Sequence, residues 1–247
     1  MVSELFLTLA QNPFPMKNIY AFIILLFGIS SLSAQNKDRM EQDWPNLQKY
    51  QNENQKIKDS GKKPIAVFMG NSITEGWVNT NPNFFRKNNF TGRGIGGQTT
   101  PQMLIRFTPD VIDLDPEVVV ILAGTNDIAG NTGASSVKMI TDNIKAMAQL
   151  AEANGIKVVL SSILPVYDYP WKPGIKPVEK IAEVNKWMKN YARENNHIYL
   201  DYFPVLADEK KGMKAEYAED GVHPTKKGYA VMEPLVLEAI KKALKSK

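Results

Sequence analysis

Three runs of the chain are apolar on nearly every successive residue: PIAVFMG ending at Gly70, EVVVILAG from Glu117 to Gly124, and KVVLSSI from Lys157 to Ile163. A strand with one face in water alternates apolar and polar residues, whereas a strand apolar throughout has to be covered on both faces, as in a parallel sheet. Shorter strands are expected in FTGRGIG and IYLDYF. Helical spacing lies between the strands. Trp44, Leu47, Tyr50 and Ile57 follow a cap at Asp43, a long segment runs from about Ser135 to Asn154 and stops before Gly155, and another lies near Val178 to Asn195. A last helix begins after Thr225, with Tyr229, Met232, Val236, Ile240 and Leu244 on one face and a kink expected at Pro234. This alternation predicts a three-layer α/β/α sandwich around a mostly five-stranded parallel sheet.

The amino-terminal portion reads differently. From Met16, one lysine, an apolar run from Ile19 to Ile29 and small residues up to Ala34 have the layout of a secretory signal, and the run is short for a bilayer span. Cleavage is expected near Ala34. A cut after Ser33 is the alternative, because Leu32 is not the small residue wanted at the third position before the first site, and an uncleaved anchor is the competing reading. Residues 1–15 precede a complete signal and read as an overextended start. Residues 35–247 then form one domain, exported to the periplasm or the extracellular space, with no stable membrane insertion after cleavage. The chain has 247 residues, 43% of them hydrophobic, enough for a full core. It has no cysteine, so disulfides and a lipid-modified thiol are excluded from it. The net charge of +4 comes from scattered lysines and from the last helix, IKKALKSK, which reads as solvated faces and not as a nucleic-acid surface.

In parallel α/β sheets, chemistry gathers outside the carboxyl ends of the strands. The first strand ends in Gly70, Asn71 and Ser72, where a serine is either a helix cap or a nucleophile raised out of the sheet. The second is followed by GRGIGGQTT, whose glycines offer backbone N–H groups with no side chain to obstruct approach. The third is followed by LAGTNDI, in which Gly124 turns the chain and Asn126 presents an amide. Before the last helix stands EDGVHPT. There Asp220, three residues from His223, can reach the imidazole Nδ1, fix its tautomer and leave Nε2 to accept a proton from serine.

GNSIT, GRGIGGQT, GTND and DGVH, in this order and spanning Gly70 to His223, resemble the four blocks of the SGNH hydrolases, also called GDSL-type esterases and lipases. The GIGGQTT segment is most similar to the branch that includes platelet-activating-factor acetylhydrolase and many bacterial acetyl esterases. The resemblance implies a flavodoxin-like sheet, Ser72 as nucleophile, His223 as base and Asp220 as the acid that orients it. It also implies an oxyanion hole from the N–H groups of Ser72 and Gly97 and the side chain of Asn126. The family usually has aspartate before the nucleophile; here it is Asn71, which donates as well as accepts and leaves the bracing of that turn open. Neither a metal nor an organic cofactor is implied. The expected substrate is a small-molecule or glycan ester of a short acyl group, acetyl foremost. A lysophospholipid, thioester or platelet-activating-factor-like lipid is the alternative.

Other readings are weaker on the residues themselves. Gly92, Gly94 and Gly97 fit G-x-G-x-x-G, but RKNNF before them is not the long apolar strand a dinucleotide site needs, and Asp115 precedes the next strand instead of ending it. Two histidines are few for a metal site, and His197 reads as structural or as a surface residue. Asp127 is read as a turn or supporting residue and Asp168 as part of a loop. An inactive carbohydrate-binding protein would not need the full set of serine, histidine, aspartate, glycine and asparagine. The loop LPVYDYPWKPGIKP carries Tyr167, Tyr169 and Trp171, whose rings either stack on sugars or pack on the sheet; Trp171 is the expected substrate contact. Oligomeric state is left open.

Overall fold

A computed structural model describes residues 43–246; the expected signal and upstream start lie outside the described residues. The sheet is five-stranded and entirely parallel, with β1 Ala66–Gly70, β2 Phe90–Gly94, β3 Val118–Leu122, β4 Lys157–Ser161 and β5 Ile198–Leu200 in the order β2-β1-β3-β4-β5. Among the described residues, the helices are α1 Gln51–Ser60, α2 Ser72–Thr80, α3 Pro82–Lys87, α4 Thr100–Ile105, α5 Phe107–Asp110, α6 Thr125–Ala129, α7 Val137–Ala153, α8 Val178–Glu194, α9 Phe203–Leu206 and α10 Lys226–Lys245.

Successive strand residues supply two different cores. Val67 pairs in register with Val119, and Met69 with Ile121; these four, with Val158 and Leu160, face Met103 and Phe107 and the apolar stripes of α7 and α8. Ala66 pairs with Val118 and Phe68 with Val120, and this side packs on α2, α3 and α10. Both faces of β1 and β3 are buried along their whole length, so unbroken apolar runs are what the layers require. The second core is aromatic. Trp77 stacks on Phe84 at 5.6 Å and on Tyr229 at 5.4 Å, and Phe68 meets Trp77 edge-on at 5.7 Å.

Two local expectations change. Residues 44–50 form turns, and the first described helix starts at Gln51 with Tyr50, not Asp43, at its cap position; Asn46 adopts a left-handed φ of 56°, which a continuous helix excludes. The last helix spans Lys226–Lys245 and holds Pro234 within it. Its inward face takes Ala243 in place of Leu244, which is 42% exposed. The long segments keep their predicted extents to within about two residues: α7 begins at the Ser136 cap and ends before Gly155 at φ +74°, and α8 spans Val178–Glu194.

Candidate active site

Strand order reverses between β1 and β3, and the crevice outside their carboxyl ends is the place such a sheet offers a ligand. β1 delivers Ser72 to the first turn of α2. Asn71, 1% exposed, caps that helix: its Oδ1 accepts from the Ile73 N–H at 3.1 Å. The carbonyl half of the amide therefore performs the acceptor task, and no carboxylate is needed for it. Ser72 Oγ lies 2.8 Å from His223 Nε2, across 151 residues of chain. His223 Nδ1 lies 2.6 Å from Asp220 Oδ2.

The loop holding the acid and the ring is braced from within. Asp220 Oδ1 accepts from the Val222 N–H at 2.9 Å and the His223 N–H at 2.8 Å, with Gly221 at φ +78° closing the turn. Partial burial alone would raise the Asp220 carboxyl, but the His223 amide and ring and the Val222 amide together hold it below the usual aspartate range. Thr225 then caps α10, accepting from Gly228 N–H at 3.3 Å, and donates its own N–H to Tyr217 O at 2.7 Å. An ionised Asp220 keeps the proton on Nδ1, so Nε2 can take one from Ser72.

Opposite the serine, the turn after β2 is tied down atom by atom. Gly94 can only be glycine, since a Cβ there would stand 2.2 Å from the Glu75 backbone nitrogen. Its carbonyl accepts from the half-buried Tyr50 hydroxyl, whose pKa burial and then Glu75 push up to about 12. Glu75, one turn beyond Ser72 on α2, receives the Gly96 N–H at 2.9 Å and pairs with Lys49 at 2.6 Å. Asn131 Nδ2 donates to Gly97 O at 3.2 Å, and Asn126 Nδ2 donates to Gln98 O at 3.0 Å. The Gln98 N–H closes back on Ile95 O at 3.3 Å. Among the described residues, the N–H groups of Ser72 and Gly97 find no acceptor. Arg106, fully buried, joins the two walls: Nη2 donates to Gly70 O at 2.9 Å, Nε to Gln98 Oε1 at 2.6 Å and Nη1 to Asp110 Oδ2 at 2.8 Å. Burial lowers the Arg106 pKa and Asp110 opposes that shift.

Trp171 is 43% exposed, with its ring 6.0 Å from that of His223 and 5.1 Å from that of Tyr169. Its indole N–H donates to Asn131 Oδ1 at 3.3 Å. Tyr169 is buried and donates to Thr125 O at 3.0 Å, so the loop is anchored by one aromatic residue and presents the other. Tyr167 is 61% exposed.

Ser72, Asp220, His223, Gly97, Asn126 and Trp171 are thus all at one end of the sheet. Asp127 is elsewhere in role: its carboxylate receives the Thr100 N–H at 3.0 Å and hydroxyl at 2.5 Å, capping α4. Asp168 accepts from the Gly174 and Tyr169 amides within its own loop. His197 packs 5.8 Å from the Tyr191 ring beside β5, its Nε2 buried without a partner. Glu75, Arg106 and Asn131 were not singled out in the sequence. Arg106 with Asp110 four residues on is a visible ion-pair spacing, but nothing local tells that its other partners are Gly70 and Gln98.

Among the described residues, no helix is long and apolar enough to cross a membrane, and no cluster of potential metal ligands occurs. The GDSL-like Lipase/Acylhydrolase family matches residues 68–231. A candidate acylhydrolase from Bacteroides fragilis NCTC 9343 is 48% identical, with a TM-score of 0.79 over 83% of this chain and 100% of that one. A GDSL-like lipase from Bacteroides thetaiotaomicron VPI-5482 is 45% identical, with a TM-score of 0.77 over 81% and 100%. A Bacillus subtilis (strain 168) protein, uncharacterized lipoprotein YqeF, is 33% identical over 96 residues, 37% of this chain and only 40% of that protein. The acetyl xylan esterase AlAXEase shares the fold at 20% identity, with a TM-score of 0.59 over 70% and 98%. With a hydroxyl, an imidazole and a carboxylate in line at the mouth of this sheet, and the family match spanning all four blocks up to α10, the chain belongs to the GDSL-like lipase/acylhydrolase, or SGNH, family and is an ester hydrolase.

Proposed function

We propose that the chain is a serine esterase removing short acyl groups, acetyl foremost, from carbohydrate outside the cytoplasm. The observation that carries the reading is the line of contacts from Ser72 Oγ through His223 to Asp220, at 2.8 and 2.6 Å. His223 takes the Ser72 proton as Oγ attacks the ester carbonyl. The oxyanion is met by the Ser72 and Gly97 N–H groups and by the second hydrogen of the Asn126 amide, the first being held by Gln98 O. The protonated imidazole then gives its proton to the departing alcohol. Because Trp171 lies against that imidazole, it flanks the alcohol half, where an indole suits the apolar face of a pyranose. Water, activated by the same ring, frees the acid from the acyl-enzyme.

Export is supported by the signal-like sequence from Met16 to Ala34 and by the lipoprotein relative. The acetyl xylan esterase of like fold shows such a scaffold carrying sugar-ester chemistry in another protein. A lipid or thioester substrate is the second reading. A panel of acetylated xylo-oligosaccharides, acetylated monosaccharides, short-chain lysophospholipids and acyl thioesters tests it, with Ser72→Ala beside the wild type. The expected result is preference for the acetylated sugars and loss of turnover by about 10³-fold or more in Ser72→Ala. Equal or greater kcat/KM on the lipids would reverse the assignment, and undiminished turnover in Ser72→Ala would remove the mechanism.

A further inference from the structure

Gly97 sits at φ +74° with nothing within 4 Å of where a Cβ would be, so side-chain packing does not fix the orientation of its peptide planes. Hydrogen bonds do. The flanking Gly96 N–H is committed to Glu75 and the flanking Gln98 carbonyl to Asn126, both side chains of the site's own walls. The Gly97 carbonyl is held differently, by Asn131, an exposed residue just past the carboxyl end of α6. The Asn131 backbone is itself fixed by its N–H on Asn126 O at 3.0 Å. Its other amide atom, Oδ1, accepts from the Trp171 indole. One side chain therefore bridges the turn that would receive the oxyanion and the ring that would receive the leaving group.

We propose that Asn131 is a positioning residue that couples the two: an alcohol group packed on Trp171 steadies the indole, the indole steadies the Asn131 amide, and the amide holds the Gly97–Gln98 peptide, fixing the place of the Gly97 Cα from which the donor N–H projects. Binding of the part of the substrate remote from the carbonyl is thereby expressed in kcat as well as in KM, which is how remote contacts accelerate a reaction. The inference rests on the esterase reading, with Gly97 as an oxyanion donor and Trp171 on the alcohol side. A plain surface asparagine would move neither quantity.

The experiment compares xylose tetraacetate, whose pyranose reaches Trp171, with ethyl acetate, whose alcohol is too small to do so. In the wild type, kcat is higher on the sugar ester. Asn131→Ala lowers kcat by about tenfold to a hundredfold, the range for a reacting group displaced by a fraction of an ångström, and brings the two substrates to similar kcat values. Asn131→Asp keeps an acceptor for the indole but turns a carboxylate oxygen on the Gly97 carbonyl, and it loses kcat as the alanine variant does. Trp171→Phe keeps a ring and removes the N–H; combined with Asn131→Ala it costs no more in kcat than Asn131→Ala alone, since both break one chain of contacts. Additive losses, losses confined to KM, or variants equal to the wild type would overturn the coupling. The esterase reading fails separately, if the wild type hydrolyses neither ester or Ser72→Ala hydrolyses both as well as it does.

Discussion

The Ser72 turn and the Asp220–His223 loop meet at one hydrogen bond, yet they are built on opposite plans. The segment around Ser72 is buried, and its order comes from distant chain: Arg106 on the Gly70 carbonyl, Tyr229 on the Ile73 carbonyl at 2.8 Å, and Trp77 in the aromatic core. The loop around His223 is open to solvent, with the side chains of His223 and Asp220 38% and 41% exposed, and most of its order comes from bonds two or three residues long. A buried wall can fix a serine by packing, whereas the open imidazole, which shuttles protons in the proposed mechanism, has its geometry set by one carboxylate serving three donors. Damage to the first region should therefore register as lost stability, and damage to the second as lost rate.

The largest effect is expected from Asp220→Asn. The amide can still accept the Val222 and His223 N–H groups but offers the wrong group to Nδ1, so kcat should fall by about 10³ to 10⁴ while the unfolding free energy stays within about 0.5 kcal/mol. Steady-state kinetics beside urea denaturation separate the two, and a large loss of stability would erase the difference between the two regions. Arg106→Met should behave in the reverse sense. It strands the buried Asp110 and two acceptors, which costs about 3 to 5 kcal/mol of stability, read as a lower denaturation midpoint. Glu75→Gln keeps an acceptor for Gly96 while weakening the hold on Lys49, and a fall in kcat of about tenfold with unchanged folding would place Glu75 with the catalytic wall and not the core.

Stability against pH sharpens the same contrast by sign. The Asp220 carboxyl is held below its ordinary value, so its small contribution is present above about pH 4 and lost as pH falls through the depressed value; with a side chain 41% exposed, it is modest. Asp127 is raised, burial outweighing its bonds to Thr100, so the folded state holds its proton more tightly than the unfolded one. That contribution is present below about pH 4 and lost as pH rises through the raised value. Melting temperatures across pH for Asp220→Asn and Asp127→Asn, each minus wild type, should slope in opposite directions; parallel slopes would dissolve the distinction. The smallest effect is expected from Asn71→Asp, since the acceptor that caps α2 is present in both: kcat should change by no more than about twofold.

The sheet was readable because parallel strands covered on both faces are apolar on successive residues, and EVVVILAG, bounded by a glycine and rich in β-branched residues, fits that pattern. The placement of the candidate site was legible where contacts are local: Asp220 and His223 stand three residues apart, and the glycines of GRGIGGQTT announce a close approach of backbone. Contacts made across the fold were not. Glu75 sits three residues after Ser72, a spacing that suggests a capping box, but its carboxylate reaches over to Gly96 instead. Asn131 looks like any polar residue between glycines until the Trp171 loop is folded over it. The start of α1 departs from the apolar spacing for a simpler reason, since spacing from Trp44 onward takes no account of the left-handed turn at Asn46.

Ser72 belongs to the first described strand–helix junction and His223 to the loop before the final helix, whose Tyr229 closes on the Ile73 carbonyl. On the proposed mechanism, an incomplete chain is therefore chemically silent until its last segment docks. Hydrolysis becomes a late-appearing signal, and recovery of turnover after dilution from denaturant should lag the return of far-ultraviolet circular dichroism whenever α10 is the last piece to settle.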